Sequence, residues 1–579
     1  MKGPRGYFTF ILHSHLPFVL SHGDWPHGTD WLFEAAVETY IPLLNILYEL
    51  SQSGITPSIN IGITPVLAEQ LSDKRFTDYL PVYIDGKIKA AEENYEEFSR
   101  TGDVVRSRMA QFWKDHFQKL NSDFINRYNS RLVEAFASLQ RDGQIEIITS
   151  AATHGYLPLL KRDQSVAFQI KTGINCYEKH FNTKPGGIWL PECAYRPAYS
   201  WIQPVGNGGD EAVPRKGIEE FLHDEGIDYF ITDSHMLKGG RAIGVYLDRF
   251  KALRAIWSQY KDSHKPRAES AEKTPYAPYL VGSPGSSKTV AVFTRDPKTA
   301  LQVWSGEWGY PGDGLYLDFH KKHFPGGHRY WRVTDSKADL ADKQLYVPEM
   351  VEEVIERHAH HFVHMVKDIL LEYNRKTGAP GILVAPFDTE LFGHWWFEGI
   401  KWLKSVISSI SGDSEIQLVT CSQYIGINQP TEVISLPEGS WGEGGFHYIW
   451  LNKWTEWTWK HVYRAEDEMA LLMDDYSKNP STLTERILIQ AARELLLMQS
   501  SDWQFLISTW SARDYAEERF SLHAENFNRL AQMARKSLSG EAISEAELNF
   551  LTSVSIRDNI FPQLKLKWWS IENAHNKPG

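Results

Sequence analysis

Cysteine is almost missing from this chain. Its three cysteines in 579 residues, Cys176, Cys193 and Cys421, show no CxxC spacing. Neither a disulfide framework nor a structural zinc site is expected from them. Positive charge is also short: 61 Lys and Arg against 73 Asp and Glu leave a net charge of −12. That argues against nucleic-acid partners, whose binding surfaces need a basic stripe to displace counterions. No apolar run reaches the roughly 18 residues that would span a membrane. The N-terminal MKGPRGYFTFILHSHLPF holds an apolar run of only about six residues, broken by His13 and His15, too short for a secretory signal. A cytosolic protein with no membrane partner is the expectation. GSPGSSKT at 282–289 lacks P-loop spacing and precedes a strand pattern, so it is not read as a phosphate loop.

Aromatics are what the chain has in surplus: 21 Trp, 26 Tyr and 28 Phe, against 9 Met. Such a surplus excludes general disorder, but it suits either a large core or a groove that stacks flat ligands.

Strand patterns alternate with helical ones over the first two-thirds of the chain. YFTFILHSH (7–15), SINIGITP (58–65), IEIITSAATHG (145–155), GIWLPECAY (187–195), IDYFITDSH (227–235), TVAVFTRD (289–296) and GILVAPFDTELFG (381–393) each run from apolar residues into polar ones. Parallel strands with helical crossovers imply an α/β sheet or barrel, with its chemistry at the C-terminal strand ends. A helical insertion is expected at about 70–142, and loop-rich stretches at 203–217 and 236–288. Strand signals fade after 428. Helices expected at 461–478, 481–501, 511–537 and 540–553 make 429–579 an α-helical C-terminal domain after a catalytic unit at 1–428.

Two acids stand out. Glu192 in WLPECAY and Asp388 in APFDTELFGHWW each follow an apolar strand and have aromatic neighbours, among them Trp189, Trp395 and Trp396. Such surroundings lower solvation and open a carboxyl pKa to tuning. Two carboxyls facing each other are what glycoside cleavage requires; the alternative is that each caps a loop or forms an ion pair. His13 and His15 lie two apart on one strand face, where with His154 or Asp388 they could bind a metal or, as neutral rings, hydrogen-bond a substrate. In WGEGGFHYIWLNKWTEWTW (441–459), Trp441 and Trp450 on the glycine-rich part are expected as sugar platforms, and Trp454 and Trp457 as packing.

In order, HSHLPF, ATHGYLPLL, WLPECAY, APFDTELFGHWW and RELLLMQSSDWQF resemble the motifs of glycoside hydrolase family 57, most closely its 1,4-α-glucan branching enzymes. The resemblance runs from about residue 7 to 530. It implies an incomplete (β/α)₇ barrel with a helical C-terminal domain closing the groove, and a retaining enzyme without metal or cofactor acting on an α-1,4-glucan. Glu192 would be the nucleophile and Asp388 the general acid/base. Arg295, Gly312, Trp441 and Asp502 would match substrate-binding positions, with His13, His15 and His154 lining the catalytic subsite. The family's branching enzymes also carry a loop tyrosine favouring transfer over hydrolysis. The 236–288 stretch is longer than usual, and its matching residue is Tyr276, with Tyr279 the alternative. An α-amylase or 4-α-glucanotransferase of the same family is the nearest competing activity. A metal-dependent deacetylase or mannosidase-like enzyme using the histidines is a more distant one.

Overall fold

The computed structural model describes residues 3–206, 211–239, 250–261, 273–305, 309–335 and 337–569. Seven parallel strands form its frame: β1 (Gly6–Ser14), β2 (Ile59–Ile63), β3 (Ile145–Ser150), β4 (Gly187–Trp189), β5 (Tyr229–Asp233), β6 (Val290–Arg295) and β7 (Gly381–Asp388). Their spatial order is β7-β1-β2-β3-β4-β5-β6, all in parallel ladders. The curl does not close. The far edge of β6 pairs antiparallel with Tyr279–Val281, which in turn pairs with Val433–Ile434. This is the incomplete barrel that the alternating pattern and the resemblance imply. β1 is central and buried at every position, so it reads as a continuous apolar run instead of an alternating one.

All seven strands point the same way, so their polar C-terminal residues gather at one rim. The β1–β7 register sets His13 opposite Asp388. Helices Lys74–Arg100, Val104–Ser122 and Leu132–Arg141 fill the expected 70–142 insertion. The described parts of the stretches expected to be loops hold regular structure. Tyr199–Trp201 and Val213–Arg215 form a hairpin ladder, and residues 236–288 contain the helix Lys251–Tyr260 and the strand Tyr279–Val281. Most of the KDSHKPRAESAEKTP tip lies outside the described residues.

The C-terminal region is helical: Glu456–Lys478, Thr482–Met498, Ser501–Thr509, Arg513–Leu538 and Glu545–Arg557. The helix expected over 481–501 stops at Met498. Ser500 is extended (φ −54°, ψ 131°) and bridges Gly155 in the loop after β3, so a new helix starts at Ser501. These helices share one continuous buried core with the barrel. A buried polar junction ties them to the loop after β1, with His22 Nε2 2.5 Å from Asp558 Oδ1 and His523 Nδ1 2.8 Å from Glu494 Oε2.

Candidate functional site

The loops at the C-terminal strand ends enclose a cavity of about 580 Å³, and His13, His15, His154, Glu192, Asp388, Trp441 and Asp502 all line it. A larger groove, about 770 Å³, contains none of them; it is lined by Lys184 and Lys288, which precede β4 and β6, and so sits at the other end of the strands.

Glu192 follows β4 in a tight turn with φ 60°, and Cys193 continues it at φ 48°. A left-handed backbone on a non-glycine residue costs on the order of 1–3 kcal/mol and persists only where surrounding contacts hold it. Those contacts are visible. The Trp441 indole N–H donates to Glu192 Oε2 at 2.8 Å, and the Ser501 hydroxyl donates to Oε1 at 3.0 Å. The Trp441 backbone N–H adds a bond to the Glu192 carbonyl. One clamp therefore joins the strand-end acid, the 441 loop and the first turn of Ser501–Thr509.

The available donors and acceptors set the histidine tautomers when Glu192 is ionised. Ser501 uses its only proton on Glu192, so it must accept from His154 Nδ1–H, 2.9 Å away. His154 Nε2 is then bare and accepts from His13 Nε2–H at 3.1 Å. His13 Nδ1 becomes a lone acceptor, and it is indeed a buried nitrogen with no hydrogen-bond partner. Burial holds both rings well below the usual histidine pKa, which keeps them neutral as this chain requires. His15 behaves differently. Burial pulls its pKa down, but the carboxylates of Asp502, Glu192 and Glu390 outweigh that and raise it. Its Nε2 lies 2.9 Å from Asp502 Oδ2 and its Nδ1 3.1 Å from Thr64 Oγ1, a proton acceptor for each nitrogen.

Burial pushes the Glu192 pKa up to about 7, and the charges of Asp502 and Asp388 add to the rise; the Trp441 and Ser501 hydrogen bonds oppose it. Asp388, at the end of β7, is thus within electrostatic reach of Glu192. Glu390, two residues on, is raised to about 7 as well, by burial and by the charge of Asp388, against a hydrogen bond from Tyr40. Tyr40 ends a π-helical turn, Ala36–Tyr40, a local irregularity common at functional sites.

His15, His154 and Asp502 bring possible metal-ligand atoms within 4.8 Å of one another. Both His154 nitrogens and His15 Nε2 already have hydrogen-bond partners, so an ion there would have to break this network.

Four residues expected at the site lie outside the cavity lining. Trp450 is fully buried and stacks on Tyr156, with centroids 4.6 Å apart. The loop glycines that made it resemble a sugar platform serve packing: a Cβ at Gly442 would meet the Trp450 ring at 2.7 Å, and Gly444 (φ 75°) makes room for Trp257. Gly312 belongs to a separate cleft, because its turn anchors to the helix Glu352–Thr377 through a Tyr310–His361 hydrogen bond of 2.7 Å. Tyr276 gives its hydroxyl to Asp296 at 2.9 Å and packs on Tyr373, away from the carboxyls. Arg295 stands behind Trp441, its guanidinium 5.7 Å from that ring, and pairs with Asp233. Trp189 stacks on His13 at 4.5 Å, while Trp396 is buried and only Trp395 of that pair reaches the cavity.

Sequence reasoning did not link Ser501 to Glu192, and it missed Glu390 and most of the aromatic wall, which includes Trp25, Trp31, Trp304 and Phe319. DWPHGTDW (24–31), a Gly/Pro-containing turn with two Trp just after a barrel strand, carried a readable signal.

The family model for glycosyl hydrolase family 57 matches residues 9–437, and that for the branching enzyme C-terminal region matches 461–569. A 1,4-α-glucan branching enzyme of Thermococcus kodakarensis is 42% identical over 560 residues, 96% of this chain and 77% of that protein. Its crystal structure superposes with a TM-score of 0.88, covering 98% of this chain and 97% of that one. The GH57-type branching enzyme of Pyrococcus horikoshii gives 0.85 at 39% identity, covering 99% and 98%. The α-amylase AmyC of Thermotoga maritima gives 0.79 at 30% identity, covering 98% and 99%. The chain belongs to glycosyl hydrolase family 57.

Proposed function

We propose that this protein is a 1,4-α-glucan branching enzyme that transfers with retention, with Glu192 as nucleophile and Asp388 as general acid/base. The observation that carries the reading is the pair of strand-end carboxyls in one aromatic-walled cavity, one of them held by two donors. Retention calls for two carboxyls roughly 5–5.5 Å apart, leaving no place for a water between them.

In the first half-reaction the Glu192 carboxylate attacks the anomeric carbon and the C1–O4 bond breaks. The Asp388 proton passes to the departing O4. In the second, the Asp388 carboxylate takes the proton of an acceptor 6-hydroxyl, whose oxygen displaces Glu192 and forms the α-1,6 bond. Water in the acceptor's place gives hydrolysis, so walls that keep water out favour transfer. Asp502, held low in pKa beside His15 despite its burial, keeps a fixed negative charge in the cavity, which suits an oxocarbenium-like transition state. A glycogen-type glucan fits as product, and no helix among the described residues is long and apolar enough to cross a membrane.

Incubation with amylose followed by proton NMR tests the activity. New α-1,6 signals without a matching rise in reducing ends are expected. Reducing ends without branches would instead make the protein an α-amylase.

The nucleophile must be ionised, so kcat/KM should rise with pH through about 7. Trp441→Phe removes a donor to the charged form. A hydrogen bond to a charged group contributes about 1.5–3 kcal/mol, so the acid limb should move up by about 1–2 pH units. A profile measured on α-maltosyl fluoride reads this directly, and an unmoved limb would show that the indole does not stabilise the carboxylate.

A further inference from the structure

The segment that brings Trp441 to Glu192 also lines a second pocket, of about 350 Å³, outside the catalytic cavity. Its wall is aromatic. Tyr260 and Tyr448 stack at 4.4 Å with an 18° angle, Phe446 lies 5.6 Å from Tyr448, and Tyr199 stands partly exposed at the rim. Beside the tyrosine hydroxyls, its polar groups are two acids, an amide and an imidazole: Glu438 accepts from the Tyr199 hydroxyl at 2.7 Å, and His447, Asn452 and Glu456 also line it.

Among the described residues no Lys or Arg lines this pocket, and two carboxylates do, which suits a neutral ligand better than an anion. Flat apolar faces beside carboxylate and amide acceptors suit a neutral ligand with apolar ring faces and hydroxyl edges, which describes a sugar ring. The pocket is also wired to the catalytic wall. Glu438 holds His447 at 2.9 Å, His447 holds the Tyr156 hydroxyl at 2.8 Å, and Tyr156 lies two residues beyond His154. We propose that this pocket is a second α-glucan subsite that grips a stretch of polymer away from the bond being cut, an inference that rests on the glucan reading above. Two grips on one chain raise the effective concentration of the second contact. The pocket should therefore matter for long chains and not for short ones.

Tyr448→Ala removes one platform. Ile202→Arg, at a rim position that is 60% exposed, obstructs the pocket without touching the core. For either variant the expected KM for amylose rises about fivefold or more with kcat unchanged, while kinetics on maltoheptaose stay as in the parent. In Glu192→Gln protein, calorimetric titration with maltoheptaose should give two sites, and Glu192→Gln/Ile202→Arg should give one. If the parent turns over amylose but Glu192→Gln protein shows one site, and neither variant moves KM, the second subsite is overturned and the enzymatic reading stands. A parent that neither binds maltoheptaose nor acts on amylose overturns both.

Discussion

Glu192→Gln should lose turnover on amylose by on the order of 10⁴-fold or more, the scale seen when a covalent nucleophile is removed. Maltoheptaose should still bind within about threefold of the parent, because the aromatic walls and the neutral histidines are untouched. The same substitution should change stability in a pH-dependent way. The folded-state pKa of Glu192 is about 7 against an ordinary value of 4.5, so the native state favours the protonated acid. Below pH 4.5 both states are protonated and the buried group costs nothing extra. As pH climbs through 7 the native state must hold a poorly solvated charge, a penalty approaching about 3 kcal/mol. Gln removes that charge, so the variant should melt higher than the parent at pH 8 and close to it at pH 4. Its single carbonyl oxygen serves only one of the Trp441 and Ser501 donors, so the gain should fall short of the full penalty. A variant melting lower than the parent at pH 8 would contradict the view that this carboxylate sits against its own solvation.

Asp388→Ala should separate the two chemical roles. Activity on amylose should fall by about 10²–10⁴-fold, the usual contribution of a positioned general acid/base. With α-maltosyl fluoride the departing fluoride needs no proton, so Glu192 can still form the glycosyl-enzyme. Added azide, which needs no base, should then attack C1, release Glu192 and restore turnover with an α-glycosyl azide as product. Glu192→Gly should do the opposite: azide entering the vacated side displaces fluoride directly and leaves the β-glycosyl azide. NMR of the anomeric proton distinguishes the two. Exchanged stereochemistry between the variants would reverse the assignment, and no azide adduct from either would remove the covalent mechanism.

The frame and the paired acids were legible because local pattern determines them. Apolar runs ending in polar residues mark strands and the rim they reach, and Glu192 and Asp388 follow such runs directly. Trp450 was misread because its loop glycines answer to ring packing, which composition does not distinguish from ligand approach. The contact of Ser501 with Glu192 was invisible for another reason. Ser501 lies 309 residues from the carboxylate it serves, and the Ser500 break that aims it at the site comes from a bridge to Gly155. Gly312 and Tyr276 matched motif positions, but the Tyr310–His361 and Tyr276–Asp296 hydrogen bonds hold them elsewhere, and only tertiary contacts decide that.

The clamp on Glu192 has a temporal consequence. Its acid comes from the first third of the chain, its indole from residue 441 and its hydroxyl from residue 501. A chain emerging from the ribosome can complete the sheet, Asp388 included, while Glu192 still has neither donor. The full clamp then forms late, when the last helices dock. A partly made chain carries both carboxyls while Glu192 still lacks the two donors that oppose its raised pKa.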